Sequence, residues 1–158
     1  MSTFDIILHP TDFSEDSDLA FQLACSVSRD QFASLVVVHV LPPEMAPEAS
    51  TELSPSDDES PVIRDCYEKF CRLKSLAGEI PVSFRLVYGY AVGAILNVAH
   101  EERADLIVVA SHQHSHFHLQ LHGSVTEGLL RQTHCPIMVF RYPEHRAPTP
   151  THSVPKSD

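Results

Sequence analysis

The chain has 158 residues, which is enough for one domain with a core that needs no disulfide or metal to hold it. Its formal charge of −10 argues against a general nucleic-acid binder, which needs a basic face, and against attachment to an acidic membrane surface. No stretch is apolar over the length of a membrane span, and the first residues carry no basic, apolar leader, so we expect a cytoplasmic protein.

Four cysteines are present, and their spacing matches neither a CxxC pair nor a zinc ribbon. Each lies in or beside an apolar stretch, where a free thiol behaves as a small hydrophobic side chain. We expect all four to be reduced and buried or half-buried: Cys25, Cys66, Cys71 and Cys135.

The first part of the chain predicts a strand, a helix and a second strand. The apolar run 4–9 (FDIILH) indicates a buried strand that ends at Pro10. Ser14 is a suitable N-cap for an amphipathic helix over 15–30, whose first turn is acidic as the helix dipole favours. The β-branched run 34–41 (SLVVVHVL) hardly alternates, which is typical of a strand covered on both faces.

Residues 42–61 are dominated by proline, serine and acidic residues, and they predict a flexible loop. Beyond it, helices and strands alternate again. A helical stripe of Ile63, Tyr67, Phe70, Leu73 and Leu76 is expected to face the core. The predicted elements are a helix over 62–77, a strand over 82–87, a helix over 91–102, a strand over 105–110, a helix over 124–132 and a strand over 136–141. One domain would therefore cover 1–142, followed by a disordered tail over 143–158.

Five strands alternating with four helices favour an α/β fold with a mainly parallel sheet and helices on both faces. We expect a flavodoxin-like open sandwich with strand order 3-2-1-4-5. In such sheets the ligand crevice lies at the carboxyl ends of the strands, beside the first strand. The segments that follow the first and fourth strands are therefore the ones expected to bind a ligand.

Two segments resemble the universal stress protein family, and the likeness extends to about Arg141. The opening IILHPTDFSEDSDLAFQLA is similar to the family's first strand, its Pro-Thr-Asp loop and its first helix. The segment ADLIVVASHQHSHFHLQLHGSVTEGLLRQTHCPIMVF is similar to its second half. The resemblance implies a stress-response regulatory or binding protein that forms a homodimer through the last strand, Pro136 to Arg141.

Family members that bind ATP share a signature of Gly, two residues, Gly, nine residues, then Gly-Ser or Gly-Thr. Glycines let the backbone approach the phosphates, and amides at the next helix start donate to them. At these positions this chain has Ala110, Gln113, Gly123 and Ser124, so half of the signature is present. The resemblance implies that an ATP or AMP site would comprise Pro10, Thr11, Asp12, Val40, Ala110, Gln113, Gly123, Ser124 and Val125.

Five histidines lie within residues 112–122, where the binders have their glycines. Imidazole is a good ligand for zinc and other divalent transition metals, and alternate residues of an extended chain project to one side. A metal site is one interpretation, and an exposed polar loop without a ligand is the other. The candidate ligands are His112, His114, His116, His118 and His122.

Three other polar side chains have simpler interpretations. His9 and His39 lie in apolar strands, and we expect each to make one hydrogen bond there. Asp12 either contacts a base or sugar, as the resemblance implies, or caps the turn before the first helix.

No nucleophile and base are arranged as in a hydrolase, and neither a P-loop nor a dinucleotide fingerprint is present. A regulatory or binding protein is therefore favoured over an enzyme. The three hypotheses are a regulator with a degenerate ATP-binding loop, an adenine-nucleotide sensor and a metal-binding variant. Each would act through a regulatory protein partner that the sequence does not identify, and not through nucleic acid or a membrane.

Overall fold

The computed structural model describes residues 3–46, 60–111 and 125–141, and these form one α/β sandwich around a five-stranded sheet. Every strand pair is parallel, and the strand order is β3-β2-β1-β4-β5. Both the predicted fold class and the predicted strand order are confirmed. The elements are β1 (Ile6–Pro10), α1 (Glu15–Gln31), β2 (Ser34–Leu41), α2 (Pro61–Ala77), β3 (Val82–Tyr88), α3 (Ala91–Glu101), β4 (Leu106–Ala110), α4 (Val125–Gln132) and β5 (Ile137–Phe140).

The sheet is buried on both faces because helices cover each of them. On one face α1 and α2 pack over the odd-numbered residues of β1 and β2, with Phe21 and Phe70 as the largest buried side chains. On the other face α3 and α4 pack over Leu8 and Ile107 through Val98 and Leu129. Burial on both faces explains why the strand sequences are continuous apolar runs without alternation.

The boundaries differ from the prediction at a few places. Strand β1 begins at Ile6 and includes Pro10, which pairs with Val38. A short 3₁₀ turn over Pro43–Met45 and the first residue of α2, Pro61, fall within the range predicted to be flexible, while residues 47–59 lie outside the described part. The tail predicted over 143–158 also lies outside it.

Helix α2 buries a slightly different stripe from the predicted one. Ile63, Phe70 and Leu73 are buried as expected, but Tyr67 and Leu76 are exposed, and Cys66 and Ala77 take their places in the core. Spacings of three and four residues keep 63, 66, 70, 73 and 77 on one face, whereas 67 and 76 lie one position off it.

The cysteines are all free thiols, as predicted, but their burial is not uniform. Cys25 and Cys66 are buried and Cys135 is half-buried, whereas Cys71 is exposed, contrary to the prediction. Cys71 lies five residues after Cys66 on α2, so it projects from a different face of the helix. Among the residues described, no helix combines the length and the apolar character needed to cross a membrane.

Candidate functional site

The carboxyl ends of β2, β1 and β4 are neighbours in the sheet, and the loop between β1 and α1 begins between them. This arrangement brings together the six predicted site residues that the structure describes. Pro10 and Thr11 are buried at the end of β1, Asp12 is exposed in the loop, and Val40 is half-buried near the end of β2. The others are Ala110, buried at the end of β4, and Val125, exposed at the first position of α4.

Asp12 is held by the helix that follows it. Its Oδ1 accepts hydrogen bonds from the Ser14 amide at 3.0 Å and from the Ser17 hydroxyl at 2.7 Å. Ser14 in turn caps α1 by accepting from the Ser17 amide at 3.2 Å. Of the two interpretations of Asp12, the cap of the turn is confirmed, and the contact with a base or sugar stays a prediction. The same bonds fix where its exposed carboxylate lies at the edge of the sheet.

On the β4 side, β1 lacks one hydrogen-bond donor. The β1–β4 ladder ends at Leu8 and Ile107. Because the Thr11 amide donates to β2, the backbone N–H and C=O groups of the even-numbered residues of β1 point toward β4. The next N–H donor in that direction would belong to Pro10, which has none. The Val108 carbonyl oxygen lies 2.8 Å from Nδ1 of His9 instead. The imidazole therefore replaces the donor that proline lacks.

On the β2 side, the two strands part after Pro10 pairs with Val38. The Thr11 amide still donates to the Val38 carbonyl at 2.9 Å, so the next bond of a parallel ladder would run from the Val40 amide to the Thr11 carbonyl. That carbonyl instead lies 2.7 Å from Nδ1 of His39. Among the described residues, the N–H and C=O of Val40 make no hydrogen bond, and both face the gap between the strands.

Both histidines make one hydrogen bond, as predicted, and both are neutral at pH 7. A carbonyl oxygen only accepts, so each ring carries its proton on Nδ1. Burial lowers the pKa of His9 from 6.5 to about 4, against the opposing effect of its bond to Val108. Burial also lowers the pKa of His39, with the bond to Thr11 and nearby Asp12 acting in the opposite direction.

Phe13 turns the loop from Asp12 into α1 with a positive φ of 61°, which is unfavourable for a bulky residue. Its amide donates to the Thr11 hydroxyl at 3.0 Å. Its ring packs against His39, with centroids 4.6 Å apart, and against Phe70 at 5.3 Å. The Lys69 ammonium lies 5.3 Å from the ring centroid. These contacts hold the loop in a conformation that its sequence does not favour.

On the β4 side of the crevice, the backbone groups at the first signature position are already hydrogen-bonded. The Ala110 carbonyl accepts from the buried Thr126 hydroxyl at 3.1 Å, and the Ser111 amide donates to the Phe140 carbonyl at 2.8 Å. Ala110 also carries a Cβ where the ATP binders have glycine. The single N–H of Ser111 is therefore not a free donor for a ligand.

The remaining predicted site residues lie outside the described part of the chain: Gln113, Gly123, Ser124 and the candidate metal ligands His112, His114, His116, His118 and His122. Within residues 3–46, 60–111 and 125–141, no group of three or more His, Cys, Asp or Glu side chains is arranged to hold a metal ion. The metal site stays a prediction from the sequence.

Two residues that shape the crevice were not predicted to belong to it. His39 precedes Val40, which was predicted, but its side chain lies on the opposite face of β2 and reaches the Thr11 carbonyl from there. Thr126 follows Val125 and bonds to Ala110. A polar residue inside an otherwise apolar run was the available signal for His39, whereas the Thr126 contact joins elements that are separate in the sequence.

Comparison with known proteins agrees with this geometry. A sequence profile described as the universal stress protein family matches residues 3–141. A universal stress protein of Methanocaldococcus jannaschii is 26% identical over 148 residues, covering 87% of this chain and 82% of its own length.

Two solved structures share the fold. A universal stress protein in complex with cAMP is 24% identical, with a TM-score of 0.66, and the match covers 89% of this chain and 98% of that one. The universal stress protein from Archaeoglobus fulgidus in complex with dAMP is 19% identical, with a TM-score of 0.62, and the match covers 88% and 98%. With the profile spanning nearly all of the described sheet and its helices, the chain belongs to the universal stress protein family.

Proposed function

We propose that this chain is a dimeric regulatory protein that binds an adenine nucleotide with a single phosphate in the crevice between β1 and β2. The observation that carries the proposal is the parting of these strands after Pro10 and Val38. It leaves the backbone N–H and C=O of Val40 facing the gap without a partner among the described residues. A residue at a strand end whose backbone N–H and C=O both face a gap is suited to bind a planar heterocycle by its edge.

The pairing of one donor and one acceptor, the backbone N–H and C=O of Val40, favours adenine. Adenine presents the N1 acceptor beside the N6 amino donor, which is complementary to one backbone N–H and one backbone C=O. Hypoxanthine and guanine present an N1–H donor beside an O6 acceptor, which is the reverse order. A site with buried hydrogen-bonding groups discriminates strongly against a ligand of reversed polarity, because those groups then stay unpaired.

The β4 side supports a short phosphate chain. The amide of Ser111 already donates to the Phe140 carbonyl, and the Ala110 side chain occupies the place of the first signature glycine. These features remove part of the surroundings that a triphosphate would need. The nucleotides named in the two similar complexes, cAMP and dAMP, each carry one phosphate.

The dimer part of the proposal is supported by β5. This strand lies at the end of the sheet, and its outer edge meets no other strand of the described residues. Its side chains Ile137, Met138 and Phe140 are only half-buried, and Val139 is exposed. An apolar edge strand of this kind needs cover to avoid unspecific pairing, and a second copy provides it.

Isothermal titration of the untagged full chain with AMP, ATP and IMP tests the nucleotide proposal. We expect AMP to bind at one per chain, and ATP and IMP to bind at least about tenfold more weakly. IMP is the matched control because it differs from AMP only at the base edge that Val40 would contact. Equal affinity for AMP and IMP would contradict the Val40 contact. Absence of binding by all three would favour a regulator that acts without nucleotide.

A further inference from the structure

We infer that His39 is a positioning residue that keeps the crevice open, an inference that rests on the proposed function for its link to nucleotide binding. The imidazole takes the carbonyl oxygen of Thr11 at 2.7 Å. In a parallel ladder continued by one step, this oxygen would accept from the amide of Val40. His39 thus satisfies the Thr11 carbonyl, and the strands have no need to close over Val40 to pair that carbonyl with the Val40 amide.

The geometry allows this because His39 reaches Thr11 from outside the plane of the sheet. Odd-numbered residues of β2 direct their backbone groups toward β3, as the bond from the Leu35 amide to the Pro81 carbonyl shows. The His39 side chain projects onto the face covered by α1 and α2, where it packs on the Phe13 ring with centroids 4.6 Å apart. The ring therefore satisfies Thr11 without entering the space in front of Val40.

Further contacts keep the imidazole in place. Phe13 packs on Phe70, whose ring stacks on Phe84 at 4.6 Å. Lys69 lies against the outer side of Phe13 and pairs with Asp65 at 2.6 Å. The position of His39 is thus set by α2 and β3 as well as by the loop, and a side chain with a fixed ring position is a precise support for a loop.

The inference predicts what happens when the donor is removed. In His39→Leu the Thr11 carbonyl loses its partner, and an unpaired buried carbonyl is costly. The nearest replacement donor is the Val40 amide. We therefore expect β1 and β2 to form one more ladder hydrogen bond, from Val40 to Thr11. His39→Asn is the matched control, because its side-chain amide places an N–H near the former Nδ1. His39→Gln is a second removal variant that keeps polarity but displaces the N–H outward.

The first experiment is residue-resolved hydrogen exchange on the full chain without nucleotide. We expect the Val40 amide to exchange rapidly in the wild type and in His39→Asn, and to become protected at least ~tenfold in His39→Leu and His39→Gln. A protected Val40 amide in the wild type, or an unchanged one in both removal variants, would overturn the inference. A purely structural role of His39 would raise exchange generally and would not protect this one amide.

The second experiment repeats the AMP titration with the same variants. We expect affinity to fall at least ~tenfold in His39→Leu and to return in His39→Asn. Retention of full AMP affinity in a variant with a protected Val40 amide would contradict the inference. If the exchange pattern is as expected and the wild type does not bind AMP, the proposed function fails while the role of His39 in shaping the crevice stands.

Discussion

Nδ1 of His9 lies 2.8 Å from the carbonyl oxygen of Val108, where the amide of Pro10 would donate if proline had one. A proline in an interior strand normally leaves a buried carbonyl unpaired, which is why prolines are rare there. Here the preceding side chain supplies the donor. With an imidazole as the donor, the stability of the protein depends on pH, because a histidine titrates and a backbone amide does not.

Acid should destabilise the protein through His9. Its pKa is about 4 in the folded chain and 6.5 when unfolded, so between these values the unfolded chain binds a proton that the folded chain does not. The contribution of His9 to the free energy of unfolding is therefore fully present above about pH 6.5. It falls as the pH is lowered, by about 2 kcal/mol at pH 5 and about 3 kcal/mol near pH 4. His39 acts in the same direction.

Urea unfolding at pH 7, 6 and 5 measures this loss, with His9→Asn as the control. Asparagine keeps an N–H for Val108 without titrating, so its stability should depend less on pH, whatever its stability at pH 7. A wild type and a variant with the same pH slope would contradict the assignment of the loss to His9.

Two phenylalanines with positive φ should respond in opposite ways to glycine. Phe32 ends α1 at φ 54° with 95% of its surface exposed, so Phe32→Gly removes the strain with little loss of packing. We expect a gain of about 0.5–1 kcal/mol in the free energy of unfolding. Phe13 has a similar φ, but its ring packs on His39 and Phe70, so Phe13→Gly should lose about 1 kcal/mol or more.

Phe13→Ala separates the two effects at that position. It loses the same ring as Phe13→Gly but keeps a Cβ at positive φ, so it should be less stable than the glycine variant by about 1 kcal/mol. Urea unfolding midpoints of the three variants and the wild type provide the test. An alanine variant at least as stable as the glycine variant would show that φ at residue 13 costs nothing.

Helices α3 and α4 approach closely at Gly128. A Cβ added there would lie 2.6 Å from Cγ2 of Val92, which is too close without a shift of the helices or of a stiff, β-branched side chain. We expect Gly128→Ala to cost about 1–2 kcal/mol. The control is Gly93→Ala in α3, where nothing lies within 4 Å of the added Cβ and the better helix propensity should stabilise by about 0.5–1 kcal/mol.

The double variant Gly128→Ala with Val92→Ala removes the atom that the new Cβ would meet. It should recover part of the stability lost in Gly128→Ala. The recovery is incomplete because the valine methyl groups no longer contribute their burial. Thermal unfolding of the single and double variants measures the coupling. Additive effects would mean that Gly128 is not limited by Val92.

The dimer proposal predicts that a charge introduced into the edge strand β5 prevents dimerisation. Val139 in β5 is 38% exposed, and Val139→Glu places a carboxylate at the proposed interface. We expect a dimer for the wild type and a monomer for this variant at micromolar concentration by light scattering, because burying an unpaired charge is unfavourable. Val62 is 42% exposed in α2, the helix that joins β2 to β3 at the other end of the strand order, so Val62→Glu should leave the mass unchanged. A monomeric wild type would exclude the proposed dimer.

The sequence was sufficient to predict the elements and their order, because strands covered on both faces leave continuous apolar runs such as 34–41. It also placed Asp12 and Val40 at the edge where the structure has them. The hydrogen bonds of His9 and His39 were predicted in number but not in partner. Their partners depend on the phase of the ladders and on where β1 leaves its neighbours, and neither is encoded in a local pattern. The outer positions of Tyr67 and Leu76 reflect which part of α2 meets α1 and β3.

The loop after β1 depends on partners that are distant along the chain. His39 is 28 residues from Thr11, and His9 is 99 residues from Val108, while Phe13 adopts a conformation that its own preferences oppose. The local bonds of Asp12 and Ser14 do not replace these long-range contacts, which form only when β2 and β4 have docked on β1. We expect substitutions at His39 and Phe13 to accelerate unfolding with little effect on the folding rate. During refolding, the crevice would then be completed only after the sheet, so nucleotide would act on a nearly native protein and not on an early intermediate.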